Sequence, residues 1–200
     1  MITSEVLESF SNIFQVLYPL RLQKNNLREV FLKINKLRRV NFPYSIIKKF
    51  SLLRNILEVY VNSTLEYLYI DLLQPLWAEF YSEFLKMTDF DDLRKSVSAL
   101  VRNIFEGLFW EYNQIGFCFR RLNYNIGELI NLLEISFEST PDKIIHNLNL
   151  LHSKIYKNFG ELVTALFIII DIGKAEFASK LFLKLNFNDY FKNYIQDKAE

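Results

Sequence analysis

The sequence predicts an all-α fold, a multi-helix bundle of about seven helices, and three observations lead there. Apolar residues recur at spacings of three and four along most of the chain. Only five glycines and four prolines interrupt 200 residues, which leaves room for long helices and little for many turns. No stretch of convincing length alternates apolar and polar residues with the period of a strand. Half of the residues are apolar and 16% are aromatic, so the chain can bury a sizeable core and lacks the composition of a disordered segment. With no internal repeat and no low-complexity run, residues 1–200 read as a single helical domain.

At the N-terminal end, Thr3 is a candidate N-cap, because its hydroxyl can accept from an orphan backbone N–H. Val6, Phe10, Ile13, Phe14 and Leu17 then recur at helical spacing. Pro19 kinks or ends that helix, and a second stretch runs from about Leu20 to Val40 until Asn41-Phe42-Pro43 breaks it. One long helix is expected near residues 45–84. Its apolar face carries Leu53, Ile56, Leu57, Tyr60, Val61, Leu65, Leu68 and Leu72, within an arc of about 180° at about 100° per residue. Asn55, Glu58, Asn62, Glu66 and Tyr69 fall on the opposite arc. Pro75 predicts a kink or restart near Gln74.

Asp89, Asp91 and Asp92 open the next helix, where carboxylates meet free N–H groups and the positive dipole end. Leu93, Val97, Leu100, Val101, Ile104, Phe105 and Leu108 form its apolar side, and Gly107 has no reading. A further helix runs from Ile115 to Phe137. Thr140-Pro141 starts another, with proline at the first helical position. Gly160 is a candidate interruption before Leu162–Ile170, a run read as buried core because a membrane span needs about 20 residues. The last helix, from about Lys174 to Leu185, precedes an aromatic tail, Phe187 to Tyr194.

Little chemistry is written in the chain. Net charge is +1, from 24 basic and 23 acidic residues. The pairs Arg38-Arg39, Lys48-Lys49 and Arg120-Arg121 are scattered, which argues for solvated helix faces and against nucleic acid. The single cysteine, Cys118, excludes an intrachain disulfide and suits a reducing, cytoplasmic setting. It reads as a buried inert thiol between Phe117 and Phe119. His146 and His152 are six apart, which does not align them on one helix face, so no zinc site is expected. There is no phosphate-binding glycine loop and no nucleophile elbow. The expectation is a non-enzyme without metal or cofactor. Trp77 and Trp110 read as core residues in preference to interface anchors. Asp71, near the centre of an apolar arc, must find a partner, cap a kink near Pro75 or face water.

Several pieces together resemble a known family. Leu53-Arg54-Asn55-Ile56-Leu57-Glu58-Val59-Tyr60-Val61-Asn62, continuing through Tyr67, Asp71 and Pro75 to Trp77, is similar to the pattern of gamma-tubulin complex components. Asp89 to Leu93 looks like the family's acidic helix start. Ile2 to Leu17 looks like the start of its C-terminal half, and Leu185 to Tyr190 resembles its closing Leu-Asp-Phe-Asn-x-Tyr motif. Val97 and Ser63 depart from the family's frequent histidine and asparagine, and the family's N-terminal half is absent. The resemblance implies a gamma-tubulin-binding module that works by positioning, with gamma-tubulin and other complex components as partners. It implies support of microtubule nucleation on the cytoskeleton at a microtubule-organising centre or spindle pole. Asn55, Glu58, Asn62, Glu66 and Tyr69 are the expected partner contacts. The competing reading is a generic helical scaffold or adaptor for another protein.

Overall fold

The computed structural model describes residues 4–40, 42–109, 111–136, 138–172 and 175–186. Every regular element among them is helical: α1 (Ser4–Arg39), α2 (Tyr44–Glu66), a π-helical segment (Tyr67–Leu73), α3 (Gln74–Phe84), α4 (Phe90–Gly107), α5 (Asn113–Ile135), α6 (Pro141–Asp171) and α7 (Ala175–Leu185). Because the π segment joins α2 to α3 without a break, these make six continuous rods, one fewer than the sequence suggests. Thr3, Trp110 and the aromatic tail lie outside the described residues.

Helix α2 lies at the centre and touches α1, α5, α6 and α7. Its buried stripe repeats at helical spacing: Ile46, Phe50, Leu53, Leu57, Tyr60, Val61 and Leu65. Tyr60 is fully buried; its ring meets Phe119 at 6.2 Å and Phe159 edge-on at 5.9 Å. Its hydroxyl donates to Asn123 Oδ1 at 3.4 Å. Burial pushes the Tyr60 phenol well above the usual tyrosine range, so it stays a neutral donor. Packed aromatic and aliphatic side chains of this kind supply most of the folding free energy of a bundle.

Two breaker residues do not break. Pro19 lies inside α1, which runs unbroken from Ser4 to Arg39. Its missing N–H deprives only the carbonyl of Gln15, a residue on an exposed turn that water can reach. Gly160 is buried within α6, which continues to Asp171. The penalty of one helical glycine, about 1 kcal/mol, is outweighed by burial of Ile155, Phe159, Leu162 and Val163 around it. The Leu162–Ile170 run is apolar on both sides and only partly core. Leu162, Leu166 and Ile169 are buried, while Phe167 and Ile168 face water.

Other boundaries fall where local chemistry places them. Pro43 is the N-cap of α2, with extended ψ, and Asp89 caps α4 by accepting from the Asp91 N–H at 3.3 Å. Thr140 occupies the cap position of α6 with extended backbone, and Pro141 takes the first turn.

Gly107 acquires a reading. It ends α4 against the fully buried Leu72 of the π segment, where an added Cβ would overlap Leu72 Cδ1 and stand 3.1 Å from Cγ. Overpacking here costs about 1–3 kcal/mol, against a helix-propensity gain of about 1 kcal/mol. Gly107→Ala is therefore expected to lower stability by about 1–2 kcal/mol in urea titration. A stabilised variant would show that Leu72 moves aside freely.

Candidate functional site

The π segment decides how the end of the long rod is presented. Pro75 has no N–H to give a residue on the preceding turn. Ahead of it the Gln74 N–H bonds to the Tyr69 carbonyl, five residues back, so the ladder has taken up an extra residue. This is the restart that Pro75 predicts near Gln74. One inserted residue rotates the downstream helix by about 100° about its axis. Beyond it α3 packs mainly on α4 and the π segment, and none of its residues is buried.

Helices α3 and α4 thus form a hairpin in which α4 packs on α1 and α7 and α3 lies outermost. Leu76 and Phe80 pack inward on its core side. Trp77, Tyr81, Phe84 and Leu85 are 57%, 54%, 45% and 67% exposed, and Phe90 at the start of α4 is open as well. Trp77 is therefore not the core residue that its type suggests. Its ring rests on Phe80 at 5.5 Å, and more than half of the side chain faces water. Helix α1 adds a second open row, Phe10, Phe14, Tyr18 and Leu22, at a spacing of four, with Phe14 and Tyr18 stacked at 5.6 Å. Aromatic side chains gathered in rows at the surface mark a place where another macromolecule sits.

The root of the hairpin is firmly held. Tyr67 is buried, donates its hydroxyl to the Gly107 carbonyl at 2.7 Å and stacks on Phe109 at 6.1 Å. Burial first, then the charges of Asp71 and Glu176, raise its phenol far above the ordinary range. Phe109 has a left-handed backbone, φ 57°, a conformation costly for a non-glycine residue and sustained here by that stacking.

The five expected contact residues share the open side of the rod but differ in freedom. Asn62 is exposed, and Asn55 accepts from Arg54 at 3.1 Å. Glu58 is bridged by Arg54 at 2.6 Å. Glu66 is bridged by Lys184 of α7 at 2.7 Å. Tyr69 accepts from Arg21 at 3.3 Å, with that guanidinium 4.9 Å from its ring centroid. Between them the apolar Leu52, Val59 and Ile70 are also open. Sequence reasoning missed those three together with Tyr81, Phe84 and Leu85. The available signal was that Trp77, Phe80, Tyr81 and Phe84 fall on one arc of α3 at about 100° per residue.

Asp71 finds its partner. Lys184 Nζ lies 3.2 Å from Asp71 Oδ2, an ion pair, while its hydrogen bond goes to Glu66. The hydrogen bond to Glu66 does most to raise the Lys184 ammonium; burial opposes it and Asp71 adds to it. A raised lysine contributes stability that is complete below its unfolded-state range and is lost only as pH rises through the folded value. This clamp therefore holds through neutral pH.

Groups that could do chemistry are dispersed or inert. Cys118 is buried; burial pushes its thiol up, Glu161 adds to that, and Arg121 opposes it. His146 is exposed on α6, and His152 packs on Tyr156 at 4.5 Å. No cluster of metal-ligating side chains occurs among the described residues, and no helix there is long and apolar enough to cross a membrane.

The described residues thus form a helical body with open aromatic rows on α1 and α3. Residues 1–191 match the family model for the gamma tubulin complex component C-terminal region, and the chain belongs to that family. The family consists of structural components of a gamma-tubulin complex. No curated protein matches the chain.

Proposed function

We propose that this chain binds gamma-tubulin and holds it in place, supporting microtubule nucleation at a microtubule-organising centre or spindle pole. The observation that carries the reading is the family match across residues 1–191. The structure adds a means. The exposed side of the long rod supplies Asn55, Asn62 and Tyr69 among the open Leu52 and Val59, and the α3 hairpin supplies Trp77 and Tyr81. A stable interface buries about 1,600 Å² in total with aromatic anchors near its centre, and these rows offer such anchors. Glu58 and Glu66 sit on this surface but are tied to Arg54 and Lys184, so they shape it more than they reach outward.

The test is co-purification of the chain with gamma-tubulin at near-physiological salt and micromolar protein. Retention that survives washing is expected, and it should fall when Asn62→Lys places a bulky charge on the open stripe. Absence of retention would remove the proposal.

A further inference from the structure

On the opposite side of α3 from Trp77 and Tyr81 lies a groove of about 460 Å³ between α3, α4 and α7. Its lining is mixed, with the half-buried apolar Leu76 and Phe177 and the buried Phe109 and Ile169 among polar residues. Among the described residues it is lined by four carboxylates, Asp71, Glu79, Glu106 and Glu176, and one cation, Lys180. That lysine already bridges Glu176 at 3.0 Å, and Asp71 is paired with Lys184. Glu79 and Glu106 therefore stand on the rim with no cationic partner among the described residues, in a chain whose total charge is nearly balanced.

We propose that this groove is a second docking site, taking a basic amphipathic segment of a protein partner. Its arginine or lysine side chains lie against Glu79 and Glu106, and an apolar side chain rests on Leu76 and Phe177. Charge complementarity selects this occupant. Uncompensated carboxylates beside low-dielectric apolar walls focus a negative potential into the concavity, which attracts cations and repels acidic segments. Leu76 and Phe177 give such a segment apolar area to bury, which a purely solvated acidic rim would not. Phe109, beside the groove, is held by its stacking on Tyr67 at 6.1 Å. The groove works independently of gamma-tubulin binding.

The probe is a fluorescein-labelled twelve-residue peptide of alternating arginine and leucine, titrated into the full chain and followed by anisotropy. A matched glutamate–leucine peptide is run beside it. Binding of the basic peptide alone is expected, weakening as salt rises. In the Glu79→Gln, Glu106→Gln double variant its affinity should fall about tenfold or more. In Glu138→Gln, Asp142→Asn, which removes the same charge at the α5–α6 turn, it should change less than about twofold. Equal losses in the two variants, or binding of the acidic peptide, would overturn the proposal. So would self-association of the chain that only the groove variant abolishes, since a second copy would then be the occupant. Gamma-tubulin takes no part in the assay, so the groove and the gamma-tubulin contact fail separately.

Discussion

Replacing Trp77 and Tyr81 together with serine is expected to weaken gamma-tubulin retention about a hundredfold or more while leaving the fold intact. Both rings are more than half exposed, and α3 buries none of its residues, so the chain loses little packing when they are cut back. Surface substitutions of that kind usually stay within about 0.5 kcal/mol in stability. Exposed aromatic anchors behave differently at an interface, where truncation of each commonly costs about 2 kcal/mol, and two such losses exceed a hundredfold in affinity. The measurement is a binding titration paired with a thermal melt. Unchanged affinity would show that the hairpin's outer face is not where gamma-tubulin sits. A large drop in melting temperature would show that the rings are structural after all.

Tyr67→Ala is expected to cost far more stability than Gly107→Ala, about 3–5 kcal/mol from the vacated core volume. The buried Gly107 carbonyl loses its phenolic donor in the same step, which adds to the cost. Tyr67→Phe isolates that hydrogen bond and should cost about 1 kcal/mol. Urea titration of both variants separates the two contributions. If the alanine variant lost no more than the phenylalanine variant, the ring stacked on Phe109 would not be holding the hairpin root. Hydrogen exchange should show the α4 C-terminal turn opening first in the alanine variant, since Tyr67 is what ties that turn to the π segment.

What could be read from the sequence was whatever depends on near neighbours. The arc placing Tyr60 and Tyr67 inward and Tyr69 outward needs only helical geometry, and the structure agrees: the first two are buried and the third is open. The Asp89 cap and the Pro141 start are likewise local. Pro19 and Gly160 misled because propensity is a weak force beside packing: each costs a few kcal/mol at most, and long buried stripes outweigh it. Gly107 had no local reading because its reason lies about 35 residues away, at Leu72. Asp71 was visible as an oddity, but its partner Lys184 is on another helix.

The candidate site was legible to the same degree. Asn55, Glu58, Asn62, Glu66 and Tyr69 do line the open side of one rod, as their periodicity requires. Periodicity could not show that Glu58 and Glu66 are tied down, nor that Trp77 is bare. The first needs knowledge of which helix approaches; the second needs to know that α3 lies outermost.

The single extra residue taken up between Tyr67 and Leu73 gives this molecule a stepped, not a continuous, way of aiming its hairpin. A flexible joint would smear the direction of Trp77 over many orientations. A register defect in a helix permits only whole steps, each about a quarter-turn. Relatives that gained or lost one residue there would point the same aromatic face in a new compass direction, with no change to either helix. Divergence in subunit geometry could thus proceed by counting residues, with repacking confined to the inward Leu76 and Phe80 and their neighbours.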